Sequence, residues 1–203
     1  MFRQNMSITM PRSGGRAFAL PNILTYARVV AVPVVVALLL WPDEILMRWT
    51  ALAVFIAAAI TDFLDGWVAR VWSQQSTMGR MLDPIADKLL VAAVLLMLVA
   101  DHTIEGWTIW AGIIILCREI LVSGLREFLA ELKVSVPVSR VAKWKTALQL
   151  VALGFLIAGR AGEAIVPGTM RIGLVLLWLA ALLTLYTGWE YLKAGWKHVA
   201  EGA

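Results

Sequence analysis

Cysteine and histidine are nearly missing from this chain. Cys117 stands alone, which excludes an intrachain disulfide and predicts a buried small apolar side chain. The two histidines, His102 and His198, fall in a loop and in the C-terminal tail, so neither is read as a metal ligand. Charge is scarce as well: 16% of the 203 residues are charged against 61% hydrophobic, and the mean hydropathy is +0.79. That balance excludes an ordinary soluble domain, because so much apolar surface needs lipid as its solvent. A cleavable secretory signal is missing too. The first 20 residues begin with charge but hold no apolar run of roughly 7–15 residues ahead of a small-residue cleavage site, so they are expected to remain as a cytosolic leader, with Phe18 and Leu20 in the interface. No soluble domain, low-complexity tract or clear internal repeat interrupts the rest.

What the chain has in abundance is uncharged runs of spanning length. A bilayer core about 30 Å thick takes roughly 20 helical residues to cross. Six such runs can be read, at about Ile23–Trp41, Trp49–Val71, Ile85–Ala100, Trp107–Arg126, Val141–Gly159 and Ile172–Tyr191. Each must be a helix, the β-branched stretch Val34–Val36 included, because lipid offers no partner to an open backbone polar group. Lys and Arg set the orientation. With the N-terminus in the cytosol, 15 of the 18 basic residues face that side and only Arg48, Arg160 and Arg171 lie opposite. The expected fold is therefore all-α: one integral membrane domain over residues 1–203, with a leader at 1–20, six transmembrane helices across 21–193, N-in and C-in, and a cytosolic tail at 194–203. Trp41, Trp49, Trp107, Trp110 and Trp196 lie near span ends, where an interfacial belt belongs, while Trp67 and Trp72 are read as packing.

Four carboxylates stand out against this background. Asp62 and Asp65 lie three apart near the cytosolic end of the second run, and Asp83 and Asp87 lie four apart where the third begins; both spacings put a pair on one helix face. Single acids at membrane boundaries are usually solvated span ends. Four in two facing pairs repel one another, and an unpaired charge at membrane depth costs about 2.5 kcal/mol or more, so something cationic must hold them. Arg70, Arg80 and Lys88 are near enough to serve, but an all-carboxylate set suits Mg²⁺ or Mn²⁺. Two such ions make a clamp for the attacking and leaving oxygens at a phosphorus centre.

The intervening residues fit a phosphate ligand. Gly66 and Ala69 leave one face with little bulk, as helix–helix packing would also require. Arg70 offers planar fixed donors. Gly79, in the Ser73–Arg80 connection, has a left-handed turn as its alternative reading, and Asp83 before Pro84 also reads as a helix N-cap with proline at the first helical position.

Read together, Asp62-Phe-Leu-Asp65-Gly66-Trp-Val-Ala69-Arg70, then Gly79, Asp83 and Asp87, resembles the full signature of the CDP-alcohol phosphotransferase family, without departure at any fixed position. The resemblance implies a transferase of phospholipid synthesis working on a CDP-activated lipid. It implies that Asp62, Asp65, Asp83 and Asp87 hold two Mg²⁺ or Mn²⁺ ions, that Asp87 is also the base on the acceptor hydroxyl, and that Gly66, Ala69, Arg70 and Gly79 hold the cytidine diphosphate. A homodimer in a bacterial inner membrane, with its site facing the cytosol and no nucleic-acid partner, is expected with it.

The acceptor is decided elsewhere in the chain. Arg118 and Arg126, eight apart and so about 80° off one face, join Lys143 and Lys145 in a dense group of cations near the acids. Basic residues at cytosolic ends can simply anchor topology. At this density they favour a dianionic acceptor, glycerol 3-phosphate or inositol phosphate. The stretches Arg118-Glu-Ile-Leu-Val-Ser-Gly-Leu-Arg126, Lys143-Trp-Lys145-Thr-Ala-Leu-Gln149 and Pro21-Asn22-Ile-Leu-Thr25-Tyr-Ala-Arg28 resemble the phosphatidylglycerophosphate synthase branch of the family. By that resemblance CDP-diacylglycerol is the donor and glycerol 3-phosphate the acceptor. Arg118, Arg126, Lys143 and Lys145 would cradle its phosphate with Arg28 as a further member, and Asn22 and Thr25 would meet the nucleotide end, helix capping being their alternative. Phosphatidylglycerol as acceptor is a rival within the same chemistry. Intramembrane carboxylates also mark ion or proton transporters, but here they gather toward one face and no repeat accompanies them.

Overall fold

The computed structural model describes residues 20–72, 77–131 and 140–201, with side chains at 23–61, 82, 85–131 and 144–193. Six α-helices follow one another: α1 (Leu20–Leu39), α2 (Ile45–Trp72), α3 (Thr77–Ala100), α4 (Ile109–Glu131, entered through a 3-10 turn at Gly106–Thr108), α5 (Arg140–Glu163) and α6 (Thr169–Glu201). No strand occurs among the described residues, and Val34–Val36 lies in α1 as expected. By length and composition, Gly106–Glu131 and Thr169–Lys193 are long and apolar enough to cross a membrane, and Ile23–Leu39 and Ile45–Thr61 are shorter apolar stretches.

The helices run past the apolar runs, which corrects several readings. Since α3 starts at Thr77, Gly79 lies in its first turn rather than in a connection, and Asp83 and Pro84 lie inside the helix rather than capping it. The helix begins in polar sequence that an apolar-run criterion passes over. Asn22 and Thr25 likewise sit within α1 and not at its cap. At the other end, α6 continues through the expected tail to Glu201. Cys117, expected to be buried, is exposed, because it falls on an outward face of α4.

The core lies where α1, α2, α3 and α5 meet, with Val35, Phe55, Leu95, Leu98, Leu153 and Leu156 buried together, and it extends through Ile115 and Leu177 to α4 and α6. α1 packs on α2 and α3, α5 on α6 and α2, and α4 on α6. Cross-helix bonds fix the directions. The start of α2 meets the end of α3 and the far part of α5 through Arg48, so α2 is antiparallel to both. Arg118 and then Arg126 on α4 meet Thr187 and then Tyr191 on α6, so α4 and α6 run the same way.

Arg48, one of the three basic residues read on the side opposite the N-terminus, has a side chain 2% exposed that pairs with Asp101, itself 4% exposed. Its Nε donates to the Pro42 carbonyl at 3.0 Å, and NH1 donates to the carbonyls of Leu156 and Ile157, each at 3.2 Å. NH2 reaches Asp101 and, at 3.2 Å, the Thr103 hydroxyl. The two α5 carbonyls are available because the helix breaks at Gly159, where φ is 45° and ψ is −127°. A Cβ at that position would collide with the Arg48 guanidinium, so glycine is required there both for the backbone and for the space. Past the break, the Glu163 carboxylate caps α6, accepting the Gly168 N–H at 2.7 Å and the Met170 N–H at 3.0 Å.

Arg48→Leu leaves Asp101 buried without its cation and should lower stability by about 3–5 kcal/mol; a thermal scan of the detergent-solubilised variant that overlays the parent would refute this. The Met170 and Gly168 amides hold the Glu163 carboxyl below its ordinary range. Its contribution should therefore be complete above the ordinary carboxylate pKa and fade as pH falls through that range toward the lowered native value. Glu163→Gln should flatten this acid limb of the Tm-versus-pH curve.

Candidate active site

Two groups of polar residues occupy the end of the bundle away from Arg48. The first is carried by α1, α2 and α3. Asp62, Asp65, Gly66 and Ala69 take positions i, i+3, i+4 and i+7 in the last turns of α2, followed by Arg70, while Gly79, Asp83 and Asp87 take i, i+4 and i+8 in the first turns of α3. Of these residues only Asp87 falls among the described side chains; the others, with Asn22 and Lys143, lie outside them. Arg28, on α1, donates from NH1 to Asp87 Oδ1 at 2.6 Å. The arginine is 1% exposed and the aspartate 42%, so the cation is fixed in the packing and the carboxylate is the more open partner. Thr25, one turn before Arg28, is also buried. Arg28 was expected among the cations for an acceptor phosphate; it sits directly on Asp87.

The second group joins α4, α5 and α6. The Arg118 guanidinium donates from Nε to the Thr184 carbonyl at 3.1 Å and from NH2 to the Thr187 hydroxyl at 2.9 Å. Its stem crosses Gly188, where a Cβ would come within 3.0 Å of Arg118 Cγ. Arg126 reaches the same helix: NH2 donates to the Tyr191 hydroxyl at 3.3 Å, with the guanidinium 5.7 Å from the ring centroid. Thr184, Thr187, Gly188 and Tyr191 stand at i, i+3, i+4 and i+7, so one stripe of α6 receives both arginines despite their offset on α4. Lys145, on α5, is 4% exposed and forms an ion pair with Glu119. One turn further along α5, the Gln149 Oε1 is buried without a hydrogen-bond partner among the described residues, as is the Thr184 hydroxyl.

Sequence reasoning missed Glu119, Thr184, Thr187, Gly188 and Tyr191. The signal for the last four was present as a polar and small stripe at helical spacing in an otherwise apolar run. Glu119 was hidden by its place inside an arginine-bearing stretch.

Asp87 offers hard carboxylate oxygen, and the aspartate-only composition of the α2–α3 positions matches a hard divalent cation. Among the described residues no three acidic, histidine or cysteine side chains gather as a metal cage. Chemically, the two groups offer what phosphoryl chemistry needs: a carboxylate fixed by a buried cation, and a layer of desolvated cations for an anion.

Comparison with known proteins accords with this. The model of the CDP-alcohol phosphatidyltransferase family matches residues 18–186. A protein of Rickettsia typhi named CDP-diacylglycerol–glycerol-3-phosphate 3-phosphatidyltransferase is 48% identical over 175 residues, covering 86% of this chain and 96% of its own. Proteins of the same name from Cereibacter sphaeroides and Shigella flexneri are 39% and 38% identical, covering 87% of this chain and 95% and 94% of theirs.

The Arg28–Asp87 bond should be measurable as a coupling between α1 and α3. A double-mutant cycle of Arg28→Leu and Asp87→Asn is expected to give about 1–2 kcal/mol of interaction in thermal unfolding; strictly additive effects would show that the pair does not tie the helices.

Proposed function

The chain belongs to the CDP-alcohol phosphatidyltransferase family, and on that premise we propose that it transfers the phosphatidyl group of CDP-diacylglycerol to glycerol 3-phosphate, giving phosphatidylglycerophosphate and CMP. The observation that carries this reading is that the half of the bundle away from Arg48 holds both the Asp87 carboxylate, bonded to Arg28, and the largely desolvated cations Arg118 and Lys145 gathered on Glu119. The common name of relatives from Rickettsia to Shigella agrees with it.

In this reading Asp87 takes the proton of the acceptor hydroxyl as its oxygen attacks the phosphatidyl phosphorus. The bond from that phosphorus to the CMP oxygen breaks, and CMP leaves with the electron pair. Arg28 fixes the orientation of Asp87. Gly66, Ala69, Arg70 and Gly79 hold the cytidine diphosphate, with Asn22 and Thr25 at the nucleotide end. Arg118, Arg126, Lys143 and Lys145 bind the acceptor phosphate, so the hydroxyl is delivered with its anion already neutralised; Arg28 adds positive charge beside it. The family is divalent-metal dependent; Asp62, Asp65, Asp83 and Asp87 would hold two Mg²⁺ or Mn²⁺ ions, which supply Lewis-acid neutralisation of the phosphoryl oxygens. A groove of about 590 Å³ between α2 and α5, lined by Phe55, Ile56, Ala59, Ile60, Val151 and Gly154, begins two residues from Asp62 and suits the apolar part of the donor.

The same proposal places the chain in a bacterial inner membrane as a single domain of six spans, N-in and C-in, with its site toward the cytosol and a homodimer as the assembly. The basic-residue asymmetry supports this, as do large exposed apolar side chains along the helices, such as Val30, Leu46, Leu96, Ile120 and Trp189.

Purified protein with CDP-diacylglycerol should release CMP when glycerol 3-phosphate and Mg²⁺ or Mn²⁺ are supplied, and EDTA should abolish the release. Release with inositol phosphate or phosphatidylglycerol in its place would reassign the acceptor. Asp87→Asn should lower kcat by at least about 100-fold while CDP-diacylglycerol still binds; ion flux without CMP chemistry would replace the enzyme with a transporter.

A further inference from the structure

The second group contains a carboxylate that the proposed reaction leaves without a task. One oxygen of Glu119, Oε1, takes the Lys145 ammonium in an ion pair and also lies 3.5 Å from Arg118 NH1. The side chains of Lys145, Arg118 and Glu119 are 5%, 10% and 19% exposed, so the carboxylate is the most open of the three.

The two cations are held very differently. Arg118 is locked to α6 by two hydrogen bonds and by the passage of its stem over Gly188, with its NH1 edge turned to Glu119. Lys145 is a point charge on a flexible stem with rotatable donors, and its described partner is Glu119. Two buried cations brought together repel strongly in a low dielectric. A carboxylate oxygen shared between them offsets that repulsion and sets where the lysine comes to rest.

We infer that Glu119 is the positioning residue of the acceptor pocket: it holds the Lys145 ammonium beside the immobile Arg118 guanidinium so that both cations meet one phosphate. The inference rests on the acceptor assignment proposed above. Without Glu119 the phosphate itself must gather the lysine, and that ordering cost falls on acceptor binding alone. Donor binding and the chemical step, which depend on α1–α3, are untouched.

Full-length Glu119→Gln and Glu119→Asp are compared with the parent in CMP release. Glu119→Gln should raise KM for glycerol 3-phosphate about ten-fold, the size of one lost charge-assisted bond, with kcat and KM for CDP-diacylglycerol unchanged within about two-fold. Glu119→Asp, which keeps the charge on a shorter stem, should fall between the two. A lower acceptor KM in Glu119→Gln would mean that the carboxylate competes with the phosphate, and would overturn the inference. A loss of Tm with acceptor KM unchanged, or equal rises in both KM values, would reduce Glu119 to a tether between helices and overturn it too. The parent's acceptor panel separates this from the broader proposal: a parent that accepts inositol phosphate instead refutes the acceptor while leaving Glu119 to be judged by that substrate's KM. A parent that uses only unphosphorylated acceptors refutes both.

Discussion

The Arg48 guanidinium is the constraint on which the rest of the bundle depends. A charge buried this deeply is tolerable only when nearly all of its donors are satisfied, and the acceptors come from four places: the α1–α2 turn, the end of α3, the loop after it, and the broken part of α5. Each must arrive in register. The bond to the Leu156 and Ile157 carbonyls exists only because Gly159 interrupts α5, and Gly159 is the residue that leaves room for the guanidinium. Sequence, break and ion pair are therefore one device, and it fixes the relative heights of α2, α3 and α5.

Heights fixed at one end determine what faces what at the other. α3 and α5 are anchored by their far parts, so their N-terminal halves, carrying Asp87 and Lys145, lie away from Arg48 with the stripe of α6 that receives Arg118 and Arg126. In both groups a buried cation is set against a more exposed carboxylate: Arg28 with Asp87, and Lys145 with Glu119. Burying the cation rather than the anion leaves positive charge organised in advance by the packing, so an incoming anionic ligand finds donors already oriented.

Much of this was legible in the sequence. The six helices follow from apolar runs, and the spacing of Asp62, Asp65, Asp83 and Asp87 marked the end of the bundle where chemistry is expected. Helix ends were misread for a physical reason: the first turns of α3 and the last turns of α6 are polar, and a helix leaving an apolar environment keeps its backbone bonds without keeping its hydropathy. The role of Arg48 was not legible, because a rule about which side a charge faces says nothing of a charge folded inward. Glu119 and the α6 stripe were illegible singly, since a glutamate, two threonines and a glycine acquire meaning only when α4, α5 and α6 are packed together. The side chains of Asp62, Asp65, Asp83 and Lys143 lie outside what the structure describes, and their roles rest on spacing and on family.

The two groups also divide the proposed reaction by helix. The residues proposed for the donor lie on α1, α2 and α3, and the cations proposed for the acceptor on α4 and α5 with α6 behind them, joined through the packing of α5 against α2 and α3. A phosphatidyl transfer has the same leaving group whatever attacks it, so the donor half needs one arrangement for every acceptor. The acceptor half must change with the alcohol, and its cations are oriented by side chains, Glu119, Thr187 and Tyr191, that lie outside the aspartate motif. Under the proposed function, the signature in α2 and α3 reports the bond that is broken, and the identity of the alcohol is written in the less conspicuous polar positions of the last three helices.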